Sequence, residues 1–204
     1  MSIYSLKPRF QALLRPSVAR LAAAGVTANQ VTVASCAGSV ALGFALALQS
    51  VAARWYALVA VWMLLRMALN AIDGMLAREF GQKSRLGAYL NELTDVVSDA
   101  ALYLPFARGA PISGVSIGFV IVLAALSEMA GVVAAVTGAS RRYDGPMGKS
   151  DRAFVFGVLA LWVAWGEPLP VWAGWLIWLV AGLTGATVVN RVRRGLAEAA
   201  EQPH

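Results

Sequence analysis

Histidine and cysteine are nearly missing from this chain, and charge of either sign is scarce. The one histidine is His204, the last residue, and the one cysteine, Cys36, lies inside an apolar run. A single cysteine cannot close an intrachain disulfide, and no Cys/His spacing of a metal site occurs. Metal or acid–base chemistry must then come from carboxylates. Charged residues are 14% of the 204 positions, where a soluble domain carries about a quarter. Hydrophobic residues make up 59%, and mean hydropathy is +0.65. These absences turn the reading from a soluble domain to an integral membrane protein. Internal repeats and low-complexity segments are also absent. So is a signal peptide, because the N-terminus has no short apolar core before a small-residue cleavage site.

What is present is a series of long apolar runs. A membrane helix needs about 20 largely apolar residues, and six such runs are expected, near 28–49, 54–78, 84–107, 112–139, 150–166 and 170–190. Ahead of them, Leu6, Phe10, Leu13, Leu14, Val18 and Leu21 recur at helical spacing with bases between them. This pattern predicts an interfacial amphipathic helix over 1–24, bent or divided by Pro8 and Pro16. The fold class is then all-α and membrane-integral, with six transmembrane helices over 25–194 and a short cytoplasmic tail over 195–204. The net charge of +6 suggests nucleic acid at first sight. The placement of the bases argues for a membrane surface instead. Lys and Arg collect before the first run, between the second and third, between the fourth and fifth, and after the sixth. That bias puts both termini in the cytoplasm. Trp165, Trp172, Trp175 and Trp178 fit the outer interface.

One stretch, NAIDGMLAREFGQKSRLGAYLNELTD at residues 70–95, is polar where burial is costly. Asn70, Asp73 and Ala77 share a face of the second helix, and Gly87, Asn91, Asp95 and Asp99 form a stripe along the third. The short connection makes these helices antiparallel neighbours, with the two stripes facing each other just inside the cytoplasmic interface. Gly74 and Gly87 leave room for a helix or ligand to approach closely. Two carboxylates with two carboxamides make an oxygen-rich cage suited to Mg²⁺ or Mn²⁺. A bound ion and Arg78 together could hold a pyrophosphate. The alternative is an interhelical salt-bridge and hydrogen-bond network that only fixes packing.

The pattern Asn70-x2-Asp73-Gly74-x2-Ala77-Arg78-x8-Gly87-x3-Asn91-x3-Asp95 resembles the signature of the CDP-alcohol phosphatidyltransferases, D-x2-DG-x2-AR-x8-G-x3-D-x3-D. Every spacing matches. The resemblance implies a donor such as CDP-diacylglycerol, a small alcohol acceptor, release of CMP, and a homodimer among membrane lipids. It also implies one or two Mg²⁺ or Mn²⁺ ions on Asn70, Asp73, Asn91 and Asp95, with Asp95 as general base. Cytidine would lie near Gly74 and Ala77, with Asp73, Arg78 and Gly87 around the CDP group. Two positions depart, because Asn70 and Asn91 stand where the family has Asp. An asparagine carbonyl is a neutral and weaker ligand, so metal binding is expected to be weaker, or limited to one ion. Asp99 and Glu92 are candidates to compensate.

Further candidates flank this stretch. Thr27 can cap the first span; Asn29 and Thr32 either serve that helix start or, as the family resemblance implies, contact CDP. The loop RRYDGPMGKSDR, 141–152, sets Lys149 and Arg152 at the start of the fifth span. Both are read as binding an acceptor or lipid phosphate, or as ordinary positive-inside charge. Glu128 lies mid-span and is expected to pair with Arg66 and tie helices together. The compact, Ala-, Gly- and Arg-rich chain points to a bacterial inner membrane, with the site on the cytoplasmic side. Two rival readings stand beside the transferase: a degenerate relative that binds a CDP-lipid without turnover, and a small transporter.

Overall fold

The computed structural model describes residues 6–48 and 52–201. Its long helices are α1 (Leu6–Ala23), α2 (Ala28–Leu48), α3 (Ala57–Glu79), α4 (Arg85–Tyr103), α5 (Gly114–Val136), α6 (Lys149–Ala164) and α7 (Trp172–Glu201). Short 3₁₀ turns at Ala53–Tyr56 and Leu104–Arg108 precede α3 and follow α4. No strand occurs among the described residues. His204 lies outside them.

Local chemistry sets the helix ends. Gly25 has φ +77° and closes α1. Val26 N–H reaches back to the Leu21 carbonyl, and Gly25 N–H to that of Ala22. This is a Schellman turn, which glycine adopts without steric cost. Thr27 then caps α2 as the sequence suggests: its Oγ1 accepts from Gln30 N–H at 3.2 Å, while Gln30 Oε1 accepts from Thr27 N–H at 2.9 Å. The two satisfy each other's orphan groups in a capping box. Ser84 caps α4 by accepting from Gly87 N–H at 2.9 Å.

Among the described residues, four helical stretches are long and apolar enough to cross a membrane: Ala28–Leu48, Ala53–Glu79, Gly114–Val136 and Trp172–Glu201. Helices α4 and α6 fall where the third and fifth spans are expected, yet do not qualify alone. The first carries the polar stripe, and the second is 16 residues long. Outward-facing Val61, Leu64, Phe119, Val122 and Leu179 are exposed. Such an apolar exterior suits lipid.

Helix α2 packs against both α3 and α4; α5 packs on α7, α3 on α6 and α1 on α3. In lipid the helices gain little from leaving water, so close packing and polar contacts hold them together. Gly43 of α2 lies so close to the Ala101 carbonyl of α4 that a side chain would collide with it. One apolar cluster fills the half around Phe106, Phe156 and Ile177, and a smaller one joins Val18 of α1 to Ile72, Met75 and Leu76. Tyr103 stacks on Phe156 at 4.0 Å between centroids. Between the two clusters lies a layer of buried polar groups.

Several sequence expectations change. Helix α1 runs unbroken across Pro16, so proline does not divide it. Val18, fully buried against α3, holds the segment down. Residues 195–201 do not form a separate tail: they extend α7. Gly195 packs on Ala134, and Glu198 accepts from Ser140 N–H at 2.8 Å and pairs with Arg142 at 2.5 Å. Residues 202–204 lie outside the described residues. Helices α3 and α4 are not close neighbours. Helix α2 packs on both, and long polar side chains bridge the gap between them.

Candidate functional site

That gap is where the two polar stripes meet. Asn70 of α3 donates its Nδ2 to Asp95 Oδ1 at 3.3 Å. Arg66, one turn earlier on α3, reaches Asp99 at 2.8 Å and Asp95 at 3.4 Å. Lys149, the first residue of α6, pairs with the same Asp95 oxygen at 2.5 Å. Asp95 thus collects three donors from two other helices. Asp73 is buried and accepts from Thr32 of α2 at 2.8 Å. Asp99 also accepts from the Tyr103 hydroxyl at 3.3 Å, so it acts as a structural node.

A cleft of about 440 Å³ opens beside these groups. Asn29, Thr32, Asp73, Gly74, Ala77, Arg78, Gly87, Asn91 and Glu92 all line it. A Cβ at residue 74 would lie 2.9 Å from the Arg78 guanidinium, and one at residue 87 would lie 2.8 Å from Asn29 Oδ1. The two glycines therefore let Arg78 and Asn29 fold over the cleft. Arg78 and Lys83 meet no carboxylate among the described residues, which leaves two uncompensated cations on its lining.

Behind the cleft the ion pairs differ from the sequence expectation. Arg66 does not pair with Glu128. It serves Asp95 and Asp99 instead, because α3 lies beside the gap to α4 and packs on α6, while α5 packs on α7. Glu128 gathers Arg141, Arg152 and Arg191 at 3.6, 3.6 and 3.5 Å. Arg152 has no exposed side-chain surface and faces Asp99 and Glu128 rather than the cleft. Glu92 pairs with Arg141 at 2.5 Å.

Sequence reading missed several members of this site. Gln82 accepts from Ala28 N–H at 2.7 Å and donates to the Val26 carbonyl at 3.4 Å, which ties the α3–α4 loop to the start of α2. Arg141 and Tyr143 form the far wall, with the guanidinium 4.6 Å from the Tyr143 ring centroid. No periodicity marks a loop residue of this kind. The abundance of polar groups in 141–152 is the only signal.

The donor chemistry bears on metal. Among the described residues, no group of three or more Asp, Glu, His or Cys side chains gathers as a ligand set. Asp95 is already neutralised by Lys149 and Arg66, and Asn70 turns its amide N–H, not its carbonyl, toward that carboxylate. Asp73 and Asn91 do line the cleft. This set fits one hard divalent ion with oxygen ligands better than a closely spaced pair.

The matching family model, described as CDP-alcohol phosphatidyltransferase, covers residues 25–186, and the chain belongs to that family. It is 43% identical to the Inner membrane protein YnbA of Escherichia coli strain K12 over 98% of this chain and 100% of that one. Its fold is similar to that of the Mycobacterium tuberculosis phosphatidylinositol phosphate synthase PgsA1. The structure of that protein with CDP-DAG bound matches at 22% identity and a TM-score of 0.72, over 93% of this chain and 97% of that one. The structure in complex with manganese and citrate matches at 21% identity and a TM-score of 0.71, over 93% and 92%.

Proposed function

We propose that this protein transfers a substituted phosphoryl group from a CDP-alcohol, CDP-diacylglycerol in the first instance, to the hydroxyl of a small alcohol in phospholipid synthesis. The observation that carries the reading is the cleft lined by Asn29, Thr32, Asp73, Gly74, Ala77, Arg78, Gly87 and Asn91, with Asp95 one helical turn beyond Asn91 on α4. Cytidine lies against Gly74 and Ala77, within reach of Asn29 and Thr32. Arg78 faces the pyrophosphate, where a fixed guanidinium stabilises the charge that develops as CMP leaves. Asp95 takes the proton of the attacking hydroxyl. A bond forms from that oxygen to the lipid-side phosphorus, and the bond from this phosphorus to the bridging oxygen breaks. Lys149, Arg66 and Asn70 hold Asp95 in position, while Glu92 and Asp99 anchor the cations around it. Asp73 and Asn91, with Asp95 and Asn70 adjoining, would hold the divalent ion, which when bound supplies positive charge at the pyrophosphate oxygens.

The lipid donor, the apolar exterior and the inner-membrane relative support a bacterial inner membrane with the cleft on the cytoplasmic face. A homodimer is part of the same reading. The test is CMP release from CDP-diacylglycerol by purified protein in detergent, across a panel of alcohols, with Mg²⁺, Mn²⁺ or EDTA. Turnover should be lost with EDTA and fall roughly 10²–10⁴-fold in Asp95→Asn, the usual contribution of a general base. The asparagines at 70 and 91 favour a second reading, a protein that binds CDP-lipid without turnover. Tight CDP-lipid binding with no CMP release from any acceptor would select it.

A further inference from the structure

A larger cavity, of about 770 Å³, opens at the basic end of α7 and shares no lining residue with the nucleotide cleft. The loop between α5 and α6 separates the two. Its Arg141 and Tyr143 face the cleft, while its Gly145 and Pro146 face this cavity. Gly145 has φ +146°, and a Cβ there would collide with Thr187, so the loop lies close against α7. Ala186, Asn190 and Arg194 recur every fourth residue on one face of α7, with Arg193 beside them. The charge here is not balanced. Asp144 pairs with Arg142 at 2.7 Å and with Arg194 at 3.6 Å, and accepts from Asn190 Nδ2 at 3.1 Å. Glu198 also takes Arg142. Arg193 meets no carboxylate among the described residues, and the Arg194 side chain is 60% exposed. A positive surplus is left on these two neighbours.

We propose that this cavity binds the headgroup of an anionic membrane phospholipid, with Arg193 and Arg194 holding its phosphate. Depth argues for a lipid rather than a free phosphate. Arg193 lies about 30 Å along α7 from Trp172 by the rise of an α-helix, one hydrocarbon thickness. Trp172 is exposed and marks one interface, so Arg193 stands at the headgroup level of the other. Between them the helix is apolar on its outer side. Leu179 and Val189 are exposed there and offer a path for acyl chains. Guanidinium groups match phosphate oxygens in a two-bond fork, and basic pockets at this depth take anionic headgroups. A zwitterionic headgroup would bring its ammonium beside two arginines, where like charge repels it. Asn190 turns its amide N–H to Asp144, which leaves its carbonyl oxygen to accept from a headgroup hydroxyl. Phosphatidylglycerol has both the charge and the hydroxyls.

The experiment titrates the purified full chain, in neutral detergent, with phosphatidylglycerol and phosphatidylcholine of the same short acyl chains, read by calorimetry. Phosphatidylglycerol should bind roughly tenfold or more tightly, the preference expected of two basic side chains at an anionic headgroup. Arg193→Gln, Arg194→Gln should abolish that preference. Arg193→Gln alone breaks no ion pair of the fold, and should narrow it roughly fivefold. Arg78→Gln, Lys83→Gln strips cations from the nucleotide cleft instead, and should leave the preference intact. Glycerol 3-phosphate and inorganic phosphate should not displace the lipid. Equal binding of the two lipids by the native protein overturns the proposal, as does a preference that survives both Arg193 variants. Loss of the preference only with Arg78 and Lys83 would place the lipid in the cleft. Displacement by glycerol 3-phosphate at equal concentration would make this a site for soluble phosphates, and the lipid assignment would fall. None of these readouts depends on turnover, so they stand apart from the test of the transferase reading.

Discussion

At the scale of single residues, Asn70 and Asn91 carry the departure that matters most. Asn70 donates to Asp95 at 3.3 Å, so an aspartate there would set two carboxylates side by side. Unit charges 4 Å apart interact by about 4 kcal/mol at an effective dielectric of 20, repulsive without a cation and attractive with one between them. Asn70→Asp, Asn91→Asp should therefore lose thermal stability in EDTA and recover it on Mn²⁺ addition. Its Mn²⁺ affinity should rise roughly tenfold or more above native, given that charge term less its screening by solvent. Thermal melts and Mn²⁺ titration of both proteins check this without reference to turnover. Equal Mn²⁺ affinity in the two would mean that Asn70 and Asn91 do not face the ion. The position of these residues was legible from a spacing pattern alone. The partners of Asp95 were not, because Lys149 and Arg66 reach it across helices that no sequence period relates.

Among the elements, α2 is the one whose place the sequence conceals. It has no charged residue and only a stripe of small groups, Thr32, Ser35, Ser39 and Gly43, on its buried face, yet it packs on both α3 and α4 and supplies Thr32 to Asp73. Its closest approach is Gly43 against the backbone of Ala101. Gly43→Ala must push α2 from α4. It should cost about 1–3 kcal/mol, as for other insertions into a packed interior, and lower the melting temperature in detergent. Gly182→Ala, where a Cβ meets nothing within 4 Å, should leave it unchanged. Equal melting of both variants with the native protein would remove the tight α2–α4 contact. The runs of apolar residues located the starts of the spanning helices to within a few positions, because length and hydropathy fix a span, but α7 continues well past the expected end at 190. Their neighbours depend on which side chains fill a gap, and short connections do not encode that. The α3–α4 connection invited a direct pairing, but Arg66, Asn70, Asp95 and Asp99 need the room between those helices. Residues past 194 read as a tail because their composition is polar. Glu198, bound to Ser140 and Arg142, keeps them helical.

Across the whole molecule, a polar layer lies between two apolar clusters, and its position decides what reaches it. Helix α6 starts at Lys149 beside Asp95 and ends at Ala164, about 1.5 Å of rise per residue away from the site. Trp165, just past that end, and Trp172, the first residue of α7, are exposed, side chains that settle at a membrane interface. The opposite end carries Arg15, Arg78, Lys83, Arg85 and Arg193, with Glu79 beside Arg15. A polar nucleotide and a membrane-bound lipid can meet only where the polar layer opens toward this basic end. The positive-inside bias predicts that this end faces the cytoplasm, where CMP would be released. Two single-cysteine proteins test the orientation after Cys36→Ser removes the native thiol. Glu167→Cys, in the turn after α6, should react with a membrane-impermeant maleimide applied from the periplasmic side of intact cells. Glu201→Cys, at the end of α7, should react only after the inner membrane is opened. The reverse pattern would put the cleft on the side that lacks nucleotide, and the transferase reading would fall with it.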